Sequence, residues 1–208
     1  MAVPTRRLVL IAIAGALPLV AALTGLLVLR ESEASTPAYR GSQPPEGITA
    51  ADFRLRSYTG REVSMAELRD KAVALTFLDA QCEESCPLIA AAAPRARALL
   101  PPDERARVAF LAISTDPAED TPASVRAFLR RYRADGALEY LVAPAGQVRR
   151  TWRDYGVLAS ENSGSDSLHS APVRIYAPGG EWVATLSAGV ELTPRNLAHD
   201  LRVAIGTA

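Results

Sequence analysis

Apolar and polar positions divide the chain into three unlike stretches. Leu8 to Leu29 is uncharged and almost entirely apolar, about the length needed to cross a bilayer, and Arg6-Arg7 precede it. This pattern predicts one N-terminal transmembrane helix, with the short N-terminus in the cytoplasm and everything after Arg30 outside it. The run is longer than the h-region of a cleaved signal peptide, roughly 7–15 residues, and Ser32-Glu33-Ala34 is a poor cleavage site. An uncleaved anchor over residues 1–30 is therefore expected. Residues 31–47 lack apolar periodicity and are rich in Ser, Glu, Pro, Thr and Gly, the composition of a flexible tether. Residues 48–208 carry the periodicities of a folded domain.

Within that domain, Phe53, Leu55 and Tyr58 before Thr59-Gly60, with Val63 beyond, predict a short β-hairpin, and Met65 to Arg69 a helical turn. Val73 to Leu78 is apolar on both faces and is expected as a buried central strand. Proline is readily accepted only in the first turn of a helix, so Pro87 sets the next helix to open near Ser85 or Cys86, and Pro94 is expected to kink or restart it. Val108 to Ile113 predicts a second buried strand. Thr121 as N-cap with Pro122 at N1 starts a helix to about Tyr132, with Val125, Phe128 and Leu129 on one face. Tyr140 to Val142 reads as a short strand, Gln147 to Tyr155 as a short helix, and the polar Leu158 to Leu168 as a mobile loop. Val173 to Tyr176, a turn at Pro178-Gly179-Gly180 and Trp182 to Leu186 make a hairpin, and Thr193-Pro194 cap a last helix to Ile205. This order is that of an α/β sandwich with a mixed central sheet.

Composition changes this picture in one respect only. Among 208 residues, 23 Lys and Arg balance 23 Asp and Glu, so the basic excess of a nucleic-acid binder is missing. The predicted export matters more for chemistry, because an oxidising compartment lets a disulfide persist unless something reduces it.

That chemistry centres on the only two cysteines, Cys82 and Cys86, in Gln81-Cys82-Glu83-Glu84-Ser85-Cys86-Pro87 just past the first core strand. Two sulfurs at that separation can close a short-loop disulfide, exchange it with another dithiol, or act as two legs of a soft-metal site. A purely structural disulfide would gain little from so short a loop. The positive end of the helix dipole favours thiolates here, while Glu83 and Glu84 oppose it. Asp79, next to the motif, is an orienting group, a proton acceptor or, on the plainer reading, a solvated loop carboxylate. Redox-active cysteines after a first core strand are the thioredoxin arrangement, so the expected fold is a thioredoxin-like sandwich with a mixed central sheet, preceded by the transmembrane helix. In such a sandwich the junction before Val173 faces the cysteine-bearing helix terminus, which puts His169 forward as a third donor. Two thiolates and one imidazole make a trigonal soft site suited to Cu(I) and able to hold Cu(II). His199, in Leu197-Ala198-His199-Asp200, is expected on a solvated face of the last helix and outside the site.

From about Asp52 to Ile205 the chain resembles the Sco/SenC copper proteins, membrane-tethered thioredoxin-fold proteins associated with assembly of the copper centre of cytochrome c oxidase. Four blocks carry the resemblance: Thr76-Phe77-Leu78 followed by Cys82, Cys86 and Pro87; Ile113-Ser114-Thr115-Asp116-Pro117 with Asp120-Thr121-Pro122; His169-Ser170; and Gly180 closing the next hairpin. The resemblance implies that Cys82, Cys86 and His169 are copper ligands and that the cysteines also cycle to a disulfide. It implies as partners a copper-receiving membrane protein, with cytochrome c oxidase subunit II a candidate, and a thiol reductant, all at the outer face of the cell membrane. Asp79-Ala80-Gln81 stand where family members often have an aromatic residue and Thr, and Pro172 stands about where thioredoxins place a cis-proline, although an ordinary trans proline opening a strand is the plainer expectation. Two functions follow. One is a copper metallochaperone; the other is a thiol-disulfide oxidoreductase in which one cysteine attacks and the other resolves. Only the first requires His169.

Overall fold

The computed structural model describes residues 38–157 and 172–207. The Leu8 to Leu29 segment, most of the expected tether, the Leu158 to Leu168 loop, His169 and the Ala171 side of the bond to Pro172 lie outside them. Among the described residues no helix is long and apolar enough to cross a membrane.

The strand that is apolar on both faces is central, as its composition requires. β3 (Ala72–Leu78) is buried along its whole length, pairs in parallel with β4 (Val108–Ser114) and pairs antiparallel with β6 (Val173–Tyr176). With β1 (Arg54–Ser57), β2 (Glu62–Ser64), β5 (Glu139–Val142) and β7 (Trp182–Leu186) it forms a mixed seven-stranded sheet in the order β2-β1-β5-β4-β3-β6-β7. The period of two divides its side chains between two cores. Ala72, Ala74 and Leu78 join a cluster with the buried faces of α1 (Ser85–Leu99), α3 (Pro122–Arg131) and α5 (Pro194–Ala204). Val73, Leu75 and Phe77 join a second with Phe53, Met65, Tyr155 and the Val148 and Trp152 face of α4 (Ala145–Asp154). The sandwich is therefore helix, sheet, helix, with each fully buried large apolar side chain contributing about 1.5–3 kcal/mol.

Local signals set most helix ends. Thr121 accepts from the Ser124 N–H while the Ser124 hydroxyl accepts from the Thr121 N–H, a reciprocal capping box, and Thr193 accepts from the Asn196 N–H. α1 begins at Ser85 as Pro87 dictates, but it runs unbroken through Pro94 instead of restarting there. Ala92, Ala93 and Ala96 on either side of Pro94 are buried, and that packing holds the helix together across the missing N–H. The short helix α2 (Pro102–Arg105) has no counterpart in the sequence reading.

Ordered packing begins before Ile48. The carboxylate of Asp200, fully buried on α5, accepts from the Arg40 N–H at 2.8 Å and the Gly41 N–H at 2.9 Å, and Ser42 bridges to Thr185 on β7. Gly41 is required by close approach: a Cβ there would collide with the Thr185 carbonyl and come within 3.2 Å of Leu186 Cδ2. Gly41→Ala is expected to destabilise the domain by about 1–3 kcal/mol, read by chemical denaturation, because the obstacle is backbone and cannot turn aside.

Candidate metal centre

The two cysteines sit where β3 ends and α1 begins. Residues 79–84 make the turn between them; Cys82 is partly exposed on that turn, while Cys86, in the first turn of α1, is 6% exposed. Both are free thiols, and their side chains hydrogen-bond one another, so the sulfurs are neighbours without being bonded. Glu83 and Glu84, between the two cysteines in sequence, are exposed to solvent.

A single residue organises this turn. The Asp79 carbonyl accepts from the Cys82 N–H at 3.2 Å, and a backbone hydrogen bond from Asp79 stabilises the charged form of the Cys86 sulfur, which only an N–H can do. Asp79 Oδ1 accepts from the Gln81 N–H at 2.7 Å, closing a tight turn. Asp79 is thus not a freely solvated carboxylate. Burial pushes its carboxyl up, against the backbone hydrogen bonds that lower it, and Asp116 and Glu119 push in the same direction as burial. Burial likewise pushes the Cys86 thiol far up; the Asp79 backbone pulls it down and Cys82 pushes it up again. At Cys86 desolvation outweighs the helix-terminus effect expected from sequence, and the metal-free residue is held as a neutral thiol.

Beneath the turn lies a polar cluster whose role the sequence reading missed, although Asp120 stands in one of its quoted motifs. Asp120 is 4% exposed; its Oδ1 accepts from the Ala80 N–H at 3.0 Å, and its Oδ2 lies 2.7 Å from both the Ser114 hydroxyl and the Tyr140 hydroxyl. Tyr140 Oη is also 2.7 Å from the Leu78 carbonyl, and Trp152 Nε1 donates to the Ser114 carbonyl at 2.9 Å. Burial pushes the Asp120 carboxyl up to about 6 despite the hydrogen bonds from Ser114, Tyr140 and Ala80. The signal available in the sequence was an acidic residue six positions after a fully buried strand-end serine, but only the pairing of β3, β4 and β5 brings it under the cysteines.

His169 lies outside the described residues, and among those residues no three His, Cys, Asp or Glu side chains come together in a group that could hold a metal. What is described is a two-sulfur half-site. Antiparallel pairing of Leu75 with Arg174 brings the start of β6 to the end of β3 from which the cysteine turn leaves. His199 is not on a solvated face as expected: it is only partly exposed, and its Nδ1 lies 3.0 Å from the buried Asp200 carboxylate, which anchors the incoming chain at Arg40 and Gly41. It takes no part in the cysteine site.

Residues 41–206 match the SCO1/SenC family profile. The chain belongs to the SCO1/SenC family. Solved Sco structures share its fold. Bradyrhizobium japonicum ScoI with copper bound superposes with a TM-score of 0.62 at 24% identity, over 76% of this chain and 100% of that one. Yeast Sco1 gives 0.64 at 19% identity, over 78% and 97%. BsSco, described as a Sco cytochrome c oxidase assembly protein with a disulfide switch, gives 0.64 at 20% identity, over 78% and 96%. A comparison with curated proteins returns no match. The sandwich with its mixed seven-stranded sheet is accordingly the thioredoxin-like fold of the Sco structures.

The Asp120 carboxyl gives this Sco domain a pH signature. Its folded value near 6 lies above the ordinary 3.8, so between the two the folded state binds more protons; the stability it contributes is fully present below about pH 4 and lost as pH rises through 6. Relative to Asp120→Asn, wild-type stability should fall by about 2–3 kcal/mol across that window, measured by urea denaturation at stepped pH.

Proposed function

We propose that this protein is an extracytoplasmic, membrane-anchored copper metallochaperone that receives a copper ion, holds it on Cys82, Cys86 and His169, and passes it by ligand exchange to a membrane protein, with the copper-bearing subunit II of cytochrome c oxidase as candidate recipient. The observation that carries this reading is the pair of adjacent, uncommitted thiols at the β3 to α1 junction. Two soft donors and one imidazole suit Cu(I) and leave it exchangeable, whereas structural zinc is normally given four protein ligands. Family membership supports the cargo, since relatives such as Bradyrhizobium japonicum ScoI hold copper. The reach of the chain supports the third ligand. Arg174 pairs with Leu75 as β6 opens at Val173, and His169 stands only four positions before Val173 in the sequence.

The exposure difference between the sulfurs favours a second activity, thiol-disulfide exchange. Partly exposed Cys82 would attack a partner disulfide as thiolate, and buried Cys86 would then displace the partner from the mixed disulfide. The domain dithiol is oxidised to a disulfide, and the partner's disulfide is reduced to two thiols. A disulfide switch is described for the relative BsSco.

Anaerobic titration of the reduced protein with Cu(I) is expected to give one ion per chain. Cys82→Ser and Cys86→Ser should each abolish tight binding, and His169→Ala should weaken it and alter the Cu(II) spectrum. Wild-type affinity and spectra in His169→Ala would remove the third ligand and leave the dithiol reading.

Membrane anchoring rests on Leu8 to Leu29 with Arg6-Arg7 before it. Fractionation should recover the protein in the membrane with an intact N-terminus by mass. A soluble mature chain beginning near Ser35 would overturn the anchor.

A further inference from the structure

The cluster under the cysteine turn contains three oxygen-oxygen contacts of 2.7 Å: Ser114 Oγ to Asp120 Oδ2, Tyr140 Oη to Asp120 Oδ2, and Tyr140 Oη to the Leu78 carbonyl oxygen. Each needs one hydrogen. A carbonyl cannot supply one, Ser114 and Tyr140 have one apiece, and an ionised carboxylate has none. With Asp120 ionised, two hydrogens serve three contacts, and Tyr140 must leave either the carboxylate or Leu78. With Asp120 protonated, the count closes. Ser114 donates to Asp120, Asp120 donates to Tyr140, and Tyr140 donates to Leu78. Ser114 Oγ is further constrained because it accepts from the Asp116 N–H at 3.2 Å.

The peptide that receives the last of these hydrogens is the one that serves Cys86. Leu78 C=O and Asp79 N–H belong to a single amide; its oxygen accepts from Tyr140 and from the Thr115 N–H, and its N–H holds the Cys86 sulfur. Accepting a hydrogen bond at an amide oxygen polarises that amide and strengthens donation by its N–H. On the far side of Asp79, Asp120 also holds the Ala80 N–H.

We propose that Asp120 is a positioning residue for the two cysteines, acting as a carboxylic acid: its proton directs the Tyr140 hydroxyl onto the Leu78 carbonyl, and the Leu78-Asp79 amide relays that contact to the Cys86 sulfur. When Asp120 ionises, Tyr140 turns its hydrogen to the carboxylate, and the Leu78 carbonyl keeps only Thr115. The titratable groups that act on Asp120 are Asp79 on the cysteine turn and Tyr140 on β5; Tyr140 in turn feels Cys86 on α1, and Asp79 feels Asp116 and Glu119 on the Asp120 loop. None of them is cationic; Asp79 disfavours the carboxylate, and Tyr140 favours it only by donating to it, which takes the same hydrogen away from the Leu78 carbonyl. The inference rests on Cys82 and Cys86 being the working site but not on copper, so it and the copper titration fail independently.

The test is side-chain and backbone NMR on the reduced, metal-free full-length protein in detergent micelles, titrated from pH 4 to 8. An Asp79→Asn background keeps the neighbouring carboxyl from titrating. The Asp120 carboxyl carbon, the Leu78 carbonyl carbon and the residue-79 amide proton should move together with one midpoint. In Asp120→Asn, whose amide donates to Tyr140 as the acid does, the Leu78 and residue-79 steps should be lost, with both signals fixed at their low-pH wild-type positions. In Tyr140→Phe the Asp120 carbon should still titrate, while the Leu78 step is lost. A Leu78 step that persists in Tyr140→Phe would overturn the relay. An Asp120 carbon already at its carboxylate position at pH 5, measurable in the wild-type protein alone, would overturn the acid itself.

Discussion

Both cysteines of this domain hang from the backbone of one residue. The Asp79 carbonyl accepts from the Cys82 N–H and the Asp79 N–H donates to the Cys86 sulfur, so the relative position of the sulfurs depends on how firmly that residue is placed. Its neighbours are fixed in turn, Leu78 by Thr115 and Tyr140, and Ala80 by Asp120. A turn of six residues between a strand and a helix would otherwise be the most mobile part of the site. Here its entry is tied to three strands, since Leu78 ends β3, Ser114 ends β4 and Tyr140 lies on β5.

The burial of β3 makes this arrangement possible and also sets the electrostatics. A strand covered on both faces ends among side chains that exclude water, so the groups just beyond it lose solvation. Asp79, Asp120 and Cys86 all shift toward their neutral forms with that burial as the largest cause. A buried neutral thiol at Cys86 gives up its proton only as a soft cation binds, so no pre-existing buried charge on that sulfur has to be stabilised. The same neutrality slows indiscriminate thiol chemistry at Cys86 and leaves Cys82, on the solvent side of the turn, as the accessible sulfur.

Much of this was legible in the sequence because it is local. Pro122 and Pro194 after threonine fixed two helix starts, Pro87 fixed the start of α1, and the doubly apolar run from Val73 identified the central strand. The spacing of Cys82 and Cys86 predicted two sulfurs within one turn, and the structure has them as neighbouring free thiols. What failed to show was non-local. At Cys86 the helix dipole and the opposing Glu83 and Glu84 were legible, but its burial in the packing of α1 against the sheet was not. Asp120 looked like part of a loop motif until β5 brought Tyr140 against it. His199 looked solvated because nothing in a single helix reveals that the adjacent Asp200 reaches across to Arg40 and Gly41. Strand order, likewise, could not be read from periodicity, which reports faces and not neighbours.

The central claim is that the β3 to α1 junction delivers two sulfurs from one chain to a single metal ion. Copper K-edge X-ray absorption of the Cu(I)-loaded protein addresses it directly, because it counts and identifies the atoms around the metal. The account predicts two sulfur neighbours and one nitrogen in the wild-type protein. A copper ion surrounded by nitrogen and oxygen alone, or by more than two sulfurs, would contradict it.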